Sequence, residues 1–185
     1  MKVLGISGSL RQGSYNTTVL RTAERLLPND VQFELYDELK WLPPYDEDDD
    51  GDDAPVEVQR LRAALAGADA VLISTPEYNS SVPGQLKNAL DWASRPIATN
   101  VLRNKPVAVV GASTGAFGAV WAQAEVRKSL AAMGARVVEG EVAFGHAHQH
   151  FDERGELTDE QLREQLQEVL ESLLNSVQLR AAALA

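Results

Sequence analysis

The chain contains no cysteine. That absence removes disulfide staples, thiolate nucleophiles, cysteine-ligated metals and iron–sulfur clusters together. Histidine is nearly as scarce: His146, His148 and His150 are the whole complement. Cations are the minority charge, with 17 Lys and Arg against 27 Asp and Glu, a net charge of −10. Nucleic acid and anionic membrane both demand clustered positive charge, so neither is expected as a partner. No apolar run approaches the roughly 18 residues that span a bilayer, and the chain opens on a strand-like segment rather than a secretory leader. These features point to a soluble, cytoplasmic protein.

What remains is an ordinary globular composition, 44% hydrophobic and 24% charged, in 185 residues, the length of one domain. Val3-Leu4-Gly5-Ile6, Ala70-Val71-Leu72-Ile73 and Val107-Ala108-Val109-Val110 are continuous apolar runs, as in parallel strands buried on both faces. Val31, Phe33 and Leu35 alternate with polar neighbours, the mark of an edge strand with one wet face, and a weaker fifth strand lies between Arg136 and Phe144. Helical stripes fall between the strands. The clearest is Leu162, Leu166, Val169, Leu170, Leu173, Leu174 and Val177, with Thr158 and Gln161 spaced as a capping box. Strand and helix alternating five times predict an α/β three-layer sandwich around a five-stranded parallel sheet of order 2-1-3-4-5. The expected domain is residues 1–177, followed by a short tail, 178–185, to which no role attaches and for which disorder is an open reading.

Ligands of such sheets bind at the carboxyl ends of the strands, so the loops after strands one, three and four carry the argument. The first reads Ser7-Gly8-Ser9-Leu10-Arg11-Gln12-Gly13-Ser14-Tyr15-Asn16-Thr17-Thr18. Glycines and hydroxyls at a helix N-terminus, with one arginine, suit a phosphate; an ordinary βα turn capped by Ser14 is the plain alternative. Neither a P-loop nor a G-x-G-x-x-G is present. The second loop, Ser74-Thr75-Pro76-Glu77-Tyr78-Asn79-Ser80-Ser81-Val82-Pro83, and the third, Gly111-Ala112-Ser113-Thr114-Gly115-Ala116-Phe117-Gly118, offer an aromatic, amides and hydroxyls to line a flat heteroaromatic ring.

The segments Ser9-Leu10-Arg11-x-x-Ser14-x-Asn16 and Pro76-Glu77-Tyr78-Asn79-x-Ser81-x-Pro83-Gly84-x-Leu86-Lys87-Asn88-Ala89-x-Asp91-Trp92 resemble the NADPH-dependent FMN reductase family, in its quinone, chromate and azo-dye reductase branch. Leu42-Pro43-x-Tyr45 fits that family's loop after strand two. The resemblance implies a flavodoxin-like fold and non-covalent FMN. It implies electrons taken from NADPH or NADH and passed to a small acceptor (a quinone, azo compound, metal oxyanion or free flavin), and a homodimer or homotetramer. By matching positions, Ser9, Arg11, Ser14, Asn16 and Thr17 would hold the FMN phosphate. Pro76, Glu77, Tyr78, Asn79, Ser80 and Ser81 would border the isoalloxazine, with Ser113, Thr114 and Gly115 opposite. The cofactor carries the chemistry, so no catalytic acid or base is assigned. One departure stands out: many relatives close the third loop with Gly-Gly where this chain reads Gly118-Ala119, with Ala116 inside the loop, and a methyl there would narrow the nicotinamide approach. A flavodoxin-like electron carrier, and a non-catalytic domain on the same fold, are the rival readings.

Asp46, Asp48, Asp50, Gly51 and Glu57 match a calcium-loop pattern, but Pro43 and Pro44 upstream bar the helix that an EF-hand needs; the acidic stretch 46–53 reads instead as a solvated loop or lid beside the pocket. The three histidines, alternating along the chain, read as a surface loop or a lining for a neighbouring subunit's pocket before they read as a metal set. Trp92 and Trp121 read as core, with a subunit-interface role as the alternative for Trp121 and Arg127. Lys87 reads as a helix-surface charge.

Overall fold

The structure is a computed structural model and describes residues 1–51 and 53–184; Asp52 of the acidic loop and Ala185 of the tail lie outside the described residues. Five strands and five helices alternate: β1 Lys2–Ser7, α1 Tyr15–Leu26, β2 Gln32–Tyr36, α2 Val56–Ala66, β3 Ala70–Thr75, α3 Gly84–Ala93, β4 Pro106–Ala112, α4 Val120–Ala132, β5 Arg136–Val137 with its continuation β6 Ala143–Phe144, and α5 Glu160–Leu184. The strand pairs are all parallel and the order is β2-β1-β3-β4-β5, with β6 also on β4. This is the sheet predicted from the sequence, and the half-wet strand does lie at its edge.

Strand periodicity builds both cores. Leu4, Ile6, Val71, Ile73, Val107 and Val109 face α2, α3 and α4, whereas Val3, Ala70, Leu72, Ala108 and Val110 face α1 and α5. Each fully buried Leu, Ile or Val side chain contributes about 1.5–3 kcal/mol, so a sheet apolar on both faces is stable only with helices over both.

Three boundaries differ from the sequence expectation. The fifth strand is two short pieces, and Arg127 bridges the gap between them: its guanidinium donates to the carbonyls of Val109 at 2.6 Å and Val138 at 3.0 Å, and to that of Gly140. Arg127 therefore works inside the protomer rather than at an interface. Burial pushes its pKa down, against the opposing pull of Glu141. The cap of α5 is Asp159, whose Oδ1 accepts from the Leu162 N–H at 3.0 Å, while the Thr158 hydroxyl donates to His150 O. Nor does the chain turn to coil after Val177. Gln178-Leu179-Arg180-Ala181-Ala182 are strong helix formers, and α5 carries through them to Leu184.

Lys105 is 4% exposed and its ammonium donates to the carbonyls of Ala68 and Ala66, just beyond and at the end of α2. Burial lowers its pKa from 10.5 to about 8, with Arg180 adding to the drop and Asp69 opposing it. The lowered folded value makes the charged amine a cost near neutrality. Between about pH 8 and pH 10.5 the unfolded chain binds the extra proton, so this residue's contribution to stability rises with pH. Lys105→Met removes that dependence. Urea unfolding of both proteins from pH 7 to 10 is expected to show wild type gaining about 2 kcal/mol on the variant; a constant difference would contradict the assignment.

Candidate functional site

The first loop is shaped by one turn. Gly13 takes φ +65°, a conformation that glycine adopts at no steric cost, and Ser14 caps α1, its Oγ accepting from the Asn16 N–H at 3.2 Å. The backbone N–H groups of Gln12, Gly13 and Tyr15 have no acceptor among the described residues, and the first turn of α1 holds no acidic side chain. A positive helix end beside Arg11, whose guanidinium among the described residues donates only to Gln12 O at 3.3 Å, is the arrangement that receives an anion.

Asn16 is 3% exposed and has a different task from the one expected of it. Its Oδ1 accepts from the Ala112 N–H at 3.0 Å and the Ser74 hydroxyl at 2.9 Å, and its Nδ2 donates to Ala112 O at 3.0 Å. The amide thus ties the start of α1 to the ends of β3 and β4 and positions the first loop from a buried place at the cleft wall. Thr17 likewise turns inward, its hydroxyl donating to Ser7 Oγ at 3.1 Å.

The second loop is a two-residue hairpin. Tyr78 and Ser81 exchange backbone hydrogen bonds at 3.2 and 3.1 Å, and Asn79 and Ser80 at the tip both have positive φ, 52° and 57°, as a type I′ turn requires. Ser81 Oγ donates to Glu125 on α4 at 2.8 Å. Glu77 supplies what α4 lacks. Ala119 precedes that helix in the left-handed region with no capping side chain, and Glu77 Oε2 accepts from the Ala122 N–H at 3.0 Å. The Ala119 methyl is buried, whereas Ala116, inside the loop, is exposed.

The third loop is held by a segment to which the sequence reading attached no such role. Ser113 N–H donates to Phe144 O, Ala147 N–H to Ser113 O, and His146 N–H to Gly115 O, at 3.0, 3.0 and 2.8 Å. Gly118 and Gly145 allow this contact: a methyl on Gly118 would come within 2.5 Å of the Ala143 backbone, and one on Gly145 within 2.1 Å of Ala116 O. Small residues at the end of the weak strand were the legible trace of it. His150 locks the same turn, with Nδ1 3.0 Å from Asp159 and Nε2 3.0 Å from Gly145 O. The histidines do not converge on a metal, and no cluster of three ligating side chains exists among the described residues.

Together the loops enclose a cleft of about 440 Å³ at the carboxyl ends of β1, β3 and β4. Of the residues singled out from the sequence, Ser9, Arg11, Ser14, Asn16, Pro76, Glu77, Tyr78, Ser113 and Thr114 line it. Thr17 lies on the far side of α1's first turn, Asn79 and Ser80 sit at the exposed hairpin tip, Ser81 faces α4, and Gly115 is at the rim. Gly13, Tyr15 and Ala112 also line the cleft and were not named beforehand. Its one mouth is polar and cationic and the other carries Tyr78, which suits a flat ring on a phosphate tether.

The acidic loop is not part of this site. Gln85, Asn88 and Trp92 of α3 donate to the carbonyls of Leu39, Leu42 and Pro43 upstream of it, and Asp50 pairs with Arg62 at 2.6 Å, both largely buried. Asp50 is thereby committed to Arg62, and the described residues of the loop do not line the cleft. Lys87 is a surface charge, paired with Asp91 one turn on. Trp92 is core as expected, but Trp121 is 46% exposed, edge-on to Phe117 at 5.0 Å.

Sheet order and helices on both faces define a flavodoxin-like domain with its cleft at the carboxyl ends of β1, β3 and β4. The NADPH-dependent FMN reductase family model matches residues 1–149, and the chain belongs to that family. It is 44% identical over 164 residues to an NAD(P)H-dependent FMN reductase of Pseudomonas aeruginosa, covering 88% of each. It is 38% identical over 164 residues to a 2-hydroxy-1,4-benzoquinone reductase of a Burkholderia species, again 88% of each. Among solved structures it resembles the flavoenzyme NAD(P)H:(acceptor) oxidoreductase FerB of Paracoccus denitrificans, with TM-score 0.86 and 35% identity over 97% of this chain and 98% of that one.

Glu77→Ala leaves the α4 terminus uncapped and is expected to lower stability by about 1 kcal/mol in urea unfolding, with Glu77→Gln closer to wild type. Equal stability of Glu77→Ala and wild type would remove the capping role.

Proposed function

We propose that the protein is an FMN-dependent NAD(P)H oxidoreductase that reduces a quinone or similar small acceptor, working as a cytoplasmic homo-oligomer. The observation that carries the reading is the first turn of α1, whose Gly13 and Tyr15 N–H groups open beside Arg11 on a cleft of cofactor size, in a chain whose relatives are named for FMN and quinone reduction. When bound, FMN supplies the two-electron exchange between nicotinamide and acceptor.

The chain's own residues bind and orient. Arg11, the Gly13 and Tyr15 N–H groups, and the Ser9 and Ser14 hydroxyls would hold the phosphate, with Asn16 setting the loop and Thr17 backing it through Ser7. Pro76, Glu77 and Tyr78 would border one side of the ring and Ser113, Thr114 and Gly115 the other, with the Asn79–Ser80 turn and Ser81 holding the hairpin upright. Tyr78, at 56% exposure, leaves one face of the cleft open, which both NADPH or NADH and the acceptor need if they use it in turn. Phe117 and Trp121, exposed beside that opening, support a second copy completing the wall. The cytoplasmic setting follows from the donors the reaction uses.

Absorbance of the FMN-loaded protein before and after anaerobic addition of NADPH, and separately NADH, tests the reading. Rapid bleaching of the flavin bands by a nucleotide alone is expected. Bound flavin that stays oxidised would make the protein an electron carrier, and no bound flavin would refute the reading. Arg11→Ala is expected to weaken FMN binding by about 1.5–3 kcal/mol, the range for a hydrogen bond to a charged group, in a fluorescence titration; an unchanged dissociation constant would remove Arg11 from the phosphate site.

A further inference from the structure

The loop that opens the cleft also opens a second depression. A groove of about 340 Å³ runs from Arg11, Gly13 and Ser14 down the outer face of α1, and four arginines stand along it: Arg11, Arg21, Arg25 and Arg154. Ser14, Thr17, Thr18, Arg21 and Arg25 recur at helical spacing, so they form one strip that leaves the phosphate turn and descends α1. At 1.5 Å per residue, Arg21 lies about 10 Å from Ser14 along the helix axis and Arg25 one turn further. The opposite wall is the turn at 152–155, held against α1 by Arg25, which donates to Gly155 O at 3.4 Å and pairs with Glu156 at 3.4 Å.

The charges are not all used internally. Arg21 pairs with Glu24 at 2.9 Å and Arg25 with Glu156 at 3.4 Å, but neither the Arg11 nor the Arg154 guanidinium meets a carboxylate among the described residues, Asp152 accepting only from the Arg154 backbone N–H. Two of the four guanidinium groups, those of Arg11 and Arg154, therefore remain without a carboxylate partner among the described residues, in a chain of net charge −10. Guanidinium groups bind phosphate through a planar fork and stack on purine rings, so this wall fits a nucleotide better than a simple anion. The groove also joins the cleft at its phosphate end, which restricts what fills it: a ligand must already have a phosphate at α1 or arrive beside one.

We propose that this groove is a subsite for the adenosine-phosphate half of a dinucleotide used at the cleft, with Arg21 and Arg154 as its selecting residues. The proposal rests on the flavin-reductase reading. The same chemistry has two sources, the adenylate half of FAD continuing from the flavin phosphate, or the 2′-phosphorylated adenosine of NADPH.

Arg21→Gln, Arg154→Gln and the double variant test it, since both side chains lie on the surface and neither lines the cleft. FMN and FAD are titrated by flavin fluorescence, and KM is measured for NADPH and NADH with the FMN-loaded enzyme. FMN affinity is expected to change less than about twofold, because the phosphate contacts at Arg11 are untouched. A loss of about tenfold or more in FAD affinity, in the double variant, assigns the groove to the flavin's adenylate. A rise of about tenfold or more in KM for NADPH, with NADH unchanged, assigns it to the donor. Variants that match wild type in both arms overturn the subsite. Failure of the underlying reading is separate: wild type itself would then bind no FMN.

Discussion

Everything at the carboxyl edge of the sheet depends on one buried amide. Asn16 sits in the first turn of α1, yet its side chain is hydrogen-bonded to β3 and to both backbone groups of Ala112 at the end of β4. A doubly wound fold leaves the strand ends splayed at the switch point, since the connections from β1 and from β3 depart to opposite faces. There the ladder stops and backbone groups would be left unpaired. The amide offers an acceptor and a donor in the geometry of a peptide group, so it closes that gap and fixes where the turn before α1 stands relative to the loops after β3 and β4.

The other two loops are held by the same logic, each lending a group that its neighbour lacks. The hairpin after β3 provides, through Glu77, the cap that Ala119 cannot give α4, and α4 returns Glu125 to Ser81. The loop after β4 is paired along its length with 144–147. Gln123 on α4 donates to both Gly118 O and Val142 O, so helix, loop and strand end are joined at one side chain. A cleft built from three loops acquires the rigidity of the sheet because each loop is hydrogen-bonded to an element it does not belong to. The polar side chains that look like ligands in the motif are in several cases these braces.

Legibility followed from how local the determinant is. Strands buried on both faces, the wet edge strand, the Ser14-capped start of α1 and the long amphipathic α5 are written in windows of a few residues, and they could be read directly. The division of the fifth strand could not, because it depends on Arg127 reaching across from α4 to satisfy three carbonyls. The cap of α5 was misplaced by one residue, for Thr158 and Asp159 are both competent caps and only the packing of His150 against this turn chooses between them. The calcium-like spacing was a coincidence of acidic residues. Asp50 belongs to Arg62, a partner on a helix that periodicity alone gives no reason to associate with it.

By itself the sequence determined the class of fold, the three loops that matter and the residue types that meet there, because side-chain period and turn chemistry act between near neighbours. Tertiary structure decided which of those side chains face the cleft and which hold it in place. Asn16, Thr17 and Ser81 have the same donors and acceptors as true ligands, and only the groups brought near them from β1, β3, β4 and α4 determine where those donors and acceptors are used.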